Sequence, residues 1–375
     1  MKKQKIITLA TLTYMRAQLL SAMLEQKGIK NFMTNINRIK ESAGGVNIII
    51  NQSDFKEAKK VFEDFKNAYG EKKQVAADYM KTIRRILVPV DFSDYSENAA
   101  LYALNIAQKF KADILLLHVY FDPAQPAYTP LESFAFSVDF EDINRQTEKV
   151  VEENLKELSQ KLKEVQKREN IKGVNIKYDM IMGSAKEEIL SYCDIYKPGL
   201  LVMGTRGKEL SGLRSFGSIT AKIIEKAKIP VLAIPKGYNS KKFSLPQKVL
   251  YATDFRQSDY WALSKLVSFV KPFGAKVYCV HVDLEIDKQH EELMREIRHF
   301  ITDTLQIYNL ECGLLETVDI QLGLESFIKE RGMDILAMTT HERNLFEKVF
   351  KPSMTKKFLF MTDIPLLIFH SRPMT

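Results

Sequence analysis

The chain has 375 residues, 45% of them apolar and 27% charged, and a formal net charge of +8. This length predicts two or three domains, and this composition is ordinary for a globular protein. No apolar run approaches the roughly 18 residues of a membrane span, and the start MKKQKIITLA predicts a first strand and not a signal peptide. Three dispersed cysteines without a CxxC pair indicate packing thiols in a reducing cytoplasm, which excludes a disulfide scaffold.

Residues 1–70 predict a small α+β domain with the element order βαββα, and residues 71–82 are expected to link it to the next unit. The segment carries 12 lysines and arginines against six acidic residues, a balance that is typical of nucleic-acid or membrane-surface binding. However, the basic residues are mixed with acids along the helices and are not interleaved with aromatic residues. A solvated helix face is therefore favoured, and neither a nucleic acid nor a membrane is expected as a partner.

Two later segments match one another in pattern. The first begins RRILVPVDFSDYSENAA and the second QKVLYATDFRQSDYWAL, so that Asp91-Phe92 aligns with Asp254-Phe255 and His118 aligns with His281. Each is a short apolar strand, a turn, a helix with apolar residues every three or four positions, and a second strand ending in His-Val. We therefore predict two copies of one unit, at residues 83–236 and 247–372.

Each copy closes with an apolar strand, IPVLAIP in the first and IPLLIFH in the second. Strands that alternate with helices predict an α/β fold with a parallel sheet covered on both faces. Exposed apolar sheet edges invite pairing, so we expect the two final strands to pair and to join the copies as an intrachain pseudo-dimer. The polar stretch KGYNSKKFSLPQ, residues 236–247, is long enough to connect them.

A glycine-rich stretch, MGTRGKELSGLRSFGSIT, lies at residues 203–220 between a predicted strand and a predicted helix. Its spacing G-x2-G-x9-G-S brings backbone N–H groups and the positive end of a helix to one place, which favours a phosphate group. Ser218 and Thr220 can add hydroxyl donors and Arg206 a guanidinium, while Asp91 on a neighbouring strand can accept from a ribose or adenine donor. A P-loop lysine and a GxGxxG are both missing, so phosphate binding competes only with a loose surface connection.

At these residues the chain resembles the universal stress protein family, in a tandem form with two copies over about residues 83–371. The resemblance implies a doubly wound five-stranded parallel sheet in each copy, of the adenine nucleotide alpha hydrolase-like type. It implies ATP in the first copy, with any Mg²⁺ held mainly by the phosphates. Residues 1–70 resemble a small signal-transducing module. The ATP-binding residues that the resemblance implies are Pro89, Val90, Asp91, Val119, Met203, Gly204, Arg206, Gly207, Gly217, Ser218, Ile219 and Thr220.

The second copy departs from the glycine spacing. Thr339, Glu342 and Pro352 occupy the positions of the three glycines of the motif. Glu342 would add a like charge beside a phosphate, and Pro352 lacks an N–H donor. ATP is therefore expected in the first copy alone, although the second copy retains Asp254.

The remaining chemistry-bearing residues point to packing. His118 and His281 lie at apolar strand ends and are interpreted as hydrogen-bonded core or rim histidines. His290 and His299 are nine residues apart in a charged helix and do not share a face, so no metal site is predicted. The chain has no GxSxG, and no nucleophile–base pair can be assigned, so no catalytic residue is named.

These observations favour a cytoplasmic stress-response protein that binds ATP and acts through an unknown protein partner. Two other classes of function stay open. A slow ATP-hydrolysing enzyme is one, since turnover needs an oriented water and charge neutralisation, and no residue is an obvious general base. A nucleotide-free scaffold is the other, because the second copy has lost the motif.

Overall fold

In the computed structural model the described residues form two sheets, one of three strands and one of ten. None of the helices among them is both long and apolar enough to cross a lipid bilayer. The predicted linker at 71–82 lies wholly outside the described residues, as does most of the predicted linker at 236–247. The described residues are 6–12, 17, 20–21, 23–25, 27–34, 46–69, 83–121, 140–205, 218–235, 238, 245–340 and 363–370.

The N-terminal elements are, in chain order, β1 (Ile6–Leu12), helical residues between 17 and 25, β2 (Asn31–Thr34), β3 (Val46–Asn51) and α1 (Phe55–Tyr69). The strands pair antiparallel in the order β1-β3-β2. Every second residue of β3 is buried, because successive side chains of a strand point to opposite faces. Leu20, Leu24 and Phe65 close a separate small core over this face.

The next nine elements supply half of the large sheet. The strands are β4 (Arg85–Pro89), β5 (Asp113–Tyr120), β6 (Ile176–Met182), β7 (Leu200–Gly204) and β8 (Val231–Ile234). The helices are α2 (Asp94–Phe110), α3 (Phe140–Arg168), α4 (Ala185–Tyr196) and α5 (Ser218–Lys226). All neighbours are parallel, in the order β8-β7-β4-β5-β6. Every residue of β7 and β8 is apolar and buried, because helices cover both faces of the sheet.

The second half repeats this order. Its strands are β9 (Lys248–Ala252), β10 (Lys276–Asp283), β11 (Leu310–Glu316), β12 (Ile335–Thr340) and β13 (Leu366–His370). Its helices are α6 (Gln257–Val270), α7 (Lys288–His299) and α8 (Ile320–Arg331). The parallel order is β13-β12-β9-β10-β11, which is that of the first half with each strand replaced by its counterpart.

The two halves meet where β8 pairs antiparallel with β13, and all other neighbouring strands described in the large sheet are parallel. Leu232 faces Leu367 in the register, and both side chains are fully buried. On one face of the sheet the hydrophobic core continues across the contact, where Phe110 of α2 packs against Phe269 of α6 with ring centroids 5.9 Å apart. β6 and β11 are left as the outer edges.

A cross-strand disulfide tests this register. Ala233 lies opposite Leu366, and directly opposed residues of antiparallel strands have Cα atoms about 4.5–5.5 Å apart, within the range of a disulfide. Ala233→Cys with Leu366→Cys should therefore form an intrachain disulfide on oxidation, identified by mass spectrometry of the linked peptides. The matched control combines Ala233→Cys with Ile368→Cys. Ile368 lies two residues beyond Leu366 on β13, and such a diagonal position is about 7–8 Å from Ala233. Equal linkage of both pairs would contradict the register.

Candidate functional site

The strand order of the first half reverses between β4 and β7. From β4 the chain proceeds through β5 to β6 on one side, and then returns to β7 and β8 on the other side. In doubly wound sheets the crevice beyond the carboxyl ends of the strands at such a point is the usual place for a ligand. Asp91 follows β4 by two residues and Gly204 ends β7, so both predicted site residues flank the reversal.

A tight turn holds Asp91 at this edge. Phe92 adopts a left-handed backbone, with φ of 59°, and the chain then enters α2 through the N-cap Ser93. Asp91 Oδ1 accepts from Ser93 N at 3.1 Å and from Ser93 Oγ at 2.5 Å. The backbone N–H of Asp91 donates to Ser96 Oγ at 3.2 Å. The carboxyl group of Asp91 is therefore positioned by the same residues that cap the helix.

His118 ties the end of β5 to this turn. Its Nδ1 lies 2.7 Å from the carbonyl oxygen of Val90, and its ring stacks on Phe92 with centroids 4.5 Å apart. His118 is therefore a hydrogen-bonded rim histidine, and the prediction for it is confirmed. The same arrangement recurs in the second half, where His281 Nδ1 lies 2.8 Å from the carbonyl oxygen of Thr253.

Gly204 has a packing role that its place in the glycine motif did not reveal. A Cβ atom at this position would lie 2.9 Å from the carbonyl oxygen of Tyr95, in the first turn of α2. The carbonyl oxygen of Gly204 accepts a hydrogen bond of 2.9 Å from the buried Thr220 Oγ1. The Thr220 hydroxyl, expected as a phosphate donor, is thus engaged in joining α5 to β7.

An alanine scan of two strand glycines separates this contact from ordinary glycine effects. We expect Gly204→Ala to lower the free energy of unfolding by about 1–3 kcal/mol, because the new Cβ overlaps a backbone oxygen that cannot move independently of α2. Gly313→Ala in β11 is the control, since a Cβ there meets only a Val280 side-chain atom at 4.0 Å. Urea unfolding of both variants measures the difference. Equal effects would exclude the close approach of α2.

The other predicted ATP-binding residues are distributed around the same edge. Of those described, Val90 and Met203 are buried, Pro89 and Val119 are half-buried, and Ile219 is exposed near the start of α5. Ser218 is the first residue of α5. Arg206, Gly207 and Gly217 lie outside the described residues, with the rest of the loop at 206–217. The described members thus occupy the carboxyl ends of three adjacent strands and the first turn of one helix.

Residues 82–235 match the model of the Universal stress protein family. A universal stress protein of Methanocaldococcus jannaschii is 33% identical over 156 residues, which are 41% of this chain and 82% of that protein. The chain belongs to the universal stress protein family. A second universal stress protein of the same organism is 26% identical over 159 residues, 41% of this chain and 95% of that protein.

A solved universal stress protein from Archaeoglobus fulgidus shares the fold over a longer stretch. The two structures align with a TM-score of 0.57 and 20% identity, covering 76% of this chain and 96% of the other. This coverage exceeds the family-matched residues, so the likeness in fold continues into the second half. The α/β class predicted from the alternation of strands and helices is confirmed, with the addition that the large sheet is mixed.

The second half fills its own strand reversal with polar side chains. Tyr251 Oη donates to Asp259 Oδ1 at 2.7 Å and lies 2.7 Å from Thr339 Oγ1. Asp259 Oδ2 accepts from Thr253 Oγ1 at 2.7 Å. All four residues are buried. The Gly204 position is thus taken by Thr339, whose hydroxyl belongs to an internal network.

This network replaces small groups of the first half with larger ones. At the repeat offset of 163 residues, Tyr251 corresponds to Val88 and Asp259 to Ser96. Ser96 accepts a hydrogen bond from the backbone N–H of Asp91 at 3.2 Å. Asp259 accepts the corresponding bond from the backbone N–H of Asp254 at 3.1 Å, in addition to those from Tyr251 and Thr253. Burial raises the pKa of Asp259 to about 7, and the negative charge of Asp254 adds to the rise.

This raised pKa makes stability depend on pH. An unfolded aspartate releases its proton near pH 4, whereas Asp259 holds it to about 7 in the fold. The free energy of unfolding should therefore be highest below pH 4 as far as this group contributes. It should fall as pH rises to 7, by at most about 4 kcal/mol. Asp259→Asn should remove this component in urea unfolding between pH 4 and 8.

The control for this pH series is Asp194→Asn, because Asp194 is an exposed residue paired with Lys228. Its profile should follow that of the unmodified protein. An unchanged slope in Asp259→Asn would show that the Asp259 carboxyl group is already ionised near pH 4 in the fold.

A group of side chains that could hold a metal ion was missed at the sequence level. His281, Asp283 and His290 place their ligand atoms within 4.8 Å of one another. In the sequence, His290 and His299 lie nine residues apart on one helix and do not share a face. The contact instead joins the end of β10 to the first turn of α7. The spacing His-x-Asp at a strand end, with a histidine at the start of the next helix, is the signal that could have found it.

Proposed function

We propose that this universal stress protein binds one molecule of ATP, in its first half, and transmits the bound state to a protein partner in the cytoplasm. The observation that carries the proposal is the convergence of Asp91, Gly204 and the start of α5 at the strand reversal between β4 and β7. The G-x2-G-x9-G-S spacing of residues 204–218 supports the same ligand.

The described residues are compatible with an adenine nucleotide in charge and placement. Asp91 offers a carboxyl group to a ribose or adenine donor at the carboxyl end of β4. The hydrogen bond from Thr220 to Gly204 sets the first turn of α5 against the end of β7, so its N–H groups and positive dipole lie at the same edge. Bound ATP would supply the phosphates and any Mg²⁺ that they hold.

We further propose that residues 247–372 are a second family copy that does not bind ATP. The shared strand order supports common descent of the two halves. The network of Tyr251, Asp259 and Thr339 supports the loss of binding, because side chains occupy the interior of the reversal. The β8–β13 contact supports a quasi-twofold pseudo-dimer through which occupation of one half can affect the other.

An ATP-hydrolysing enzyme is the second candidate function, and a scaffold without nucleotide is the third. Hydrolysis needs a positioned water and neutralisation of the charge that develops on the phosphates. The residues assigned here bind and position, and none is assigned as a general base. Turnover is therefore expected to be slow or undetectable beside binding.

Calorimetric titration of the full chain with ATP should give a stoichiometry near one. Asp91→Asn should weaken binding about tenfold or more, because a charge-assisted hydrogen bond becomes a neutral one. The asparagine oxygen can still accept from Ser93, so the turn is retained. Asp254→Asn is the matched control in the second half and should leave the affinity unchanged.

The possible outcomes separate the three functions. Saturable binding with no phosphate release supports the proposal, and steady phosphate release would favour the enzyme. Folded protein that binds no ATP would favour the scaffold. A stoichiometry of two, or equal losses in the Asp91 and Asp254 variants, would overturn the assignment to the first half. Gly207→Glu copies the residue of the second half and should abolish binding while circular dichroism stays unchanged.

A further inference from the structure

Three potential ligands meet at the carboxyl end of β10 in the second half. His281 and Asp283 are two residues apart on this strand, so their side chains point to the same face. His290 lies in the first turn of α7, and its ring stacks on His281 with centroids 5.1 Å apart. The Nε2 atoms of both histidines lie 3.7 Å from Asp283 Oδ2.

The Nε2 atom of His281 is enclosed and has no hydrogen-bond partner among the described residues. The residue is only 8% exposed, and Asp283 Oδ2 at 3.7 Å lies beyond hydrogen-bond distance. Its Nδ1 faces the carbonyl oxygen of Thr253 at 2.8 Å, an acceptor, so Nδ1 carries the proton. The lone pair of Nε2 is therefore directed into the cluster. A buried nitrogen without a partner is costly and calls for a ligand.

The ring of His290 is oriented by a second carboxylate. Its Nδ1 lies 2.7 Å from Asp287 Oδ1, which leaves Nε2 facing Asp283. Asp287 is also the N-cap of α7 and accepts from the backbone N–H of His290 at 3.0 Å. His290 Nδ1 also faces the backbone N–H of Asp287 at 3.3 Å; with the proton on Nδ1, the ring donates to the Asp287 carboxylate and leaves the Nε2 lone pair for a metal. In that state both histidines have an acceptor at Nδ1, a carbonyl oxygen for His281 and a carboxylate for His290. Partners of this kind orient histidines whose Nε2 atoms bind metals.

We propose that His281 Nε2, His290 Nε2 and the carboxylate of Asp283 bind one divalent transition-metal ion of the zinc class. Metal–ligand bonds of about 2.0–2.2 Å place tetrahedral ligand atoms about 3.4 Å apart. The two histidine–Asp283 separations of 3.7 Å need a small contraction, and the ligand atoms of all three residues start within 4.8 Å of one another. Two imidazoles and one carboxylate favour zinc, cobalt, nickel or copper over magnesium or calcium. Three protein ligands leave a coordination position for water or another ligand.

The first half lacks the matching carboxylate. Tyr120 occupies the position of Asp283 at the repeat offset of 163 residues, and its hydroxyl donates to Glu148 at 2.9 Å. His118, the counterpart of His281, therefore has no carboxylate two residues further along its strand. The metal site is a property of the second half, and it is independent of ATP binding in the first.

Metal binding is tested on the full chain after chelator dialysis, with Co²⁺ as the spectroscopic probe and Zn²⁺ as its competitor. One Co²⁺ per chain should bind, with visible absorption bands that Zn²⁺ removes. Asp283→Asn and His290→Gln change groups that are partly exposed, so the fold should persist in both. Each should weaken Co²⁺ binding at least tenfold, since each removes one of three ligands.

Two further variants distinguish ligands from surroundings. Asp287→Asn keeps a capping oxygen for α7 but removes the charge behind His290, and should weaken binding about 10–100-fold. His299→Gln changes an exposed histidine on the same helix and should have no effect. Absence of saturable Co²⁺ binding at millimolar metal would overturn the proposal. Unchanged affinity in folded Asp283→Asn and His290→Gln, or an equal loss in His299→Gln, would overturn it as well.

Discussion

The antiparallel contact between β8 and β13 is the interaction on which the arrangement of the two halves depends. Each half would otherwise end in a strand whose residues are buried in the joined sheet, with backbone groups open to pairing. The contact satisfies both edges at once and brings α2 and α6 to one face, where Phe110 meets Phe269. The continuity of the hydrophobic core between the two halves follows from it.

The two halves share one backbone arrangement but differ in the side chains that fill their interiors. Both have a left-handed phenylalanine after the first strand and a histidine that bonds to the carbonyl oxygen before the turn. At the reversal the first half has Val88, Ser96 and Gly204, whereas the second has Tyr251, Asp259 and Thr339. In the second half a hydrogen-bonded network of buried side chains fills this space. The proposed metal ligands lie one strand further along, at the end of β10 and the start of α7.

Periodic features were predictable from the sequence, and contacts between distant residues were not. Alternating strands and helices, the Asp-Phe turns and the bonded His118 follow from local pattern and from repetition within the chain. The close approach of Gly204 to the Tyr95 carbonyl oxygen joins residues far apart in sequence. The glycine motif therefore did not indicate this steric requirement for glycine. His290 shares a helix with His299 but not a face. Its contact with His281 depends on how α7 returns over β10, which no local pattern encodes.

The two outer strands of the large sheet differ from the pair at its centre. Exposed positions of β6 carry Lys177 and Asp179, and on β11 Glu311 pairs with Lys276 at 2.8 Å. Arg298 of α7 donates to the carbonyl oxygen of Cys312 at 3.3 Å, which occupies an acceptor on the open side of that edge. Charges on an edge strand oppose the addition of another strand. The apolar edge strands β8 and β13 pair with each other inside the chain, and the outer strands β6 and β11 carry charges. The ten-stranded sheet therefore resists the addition of further strands and growth into fibres.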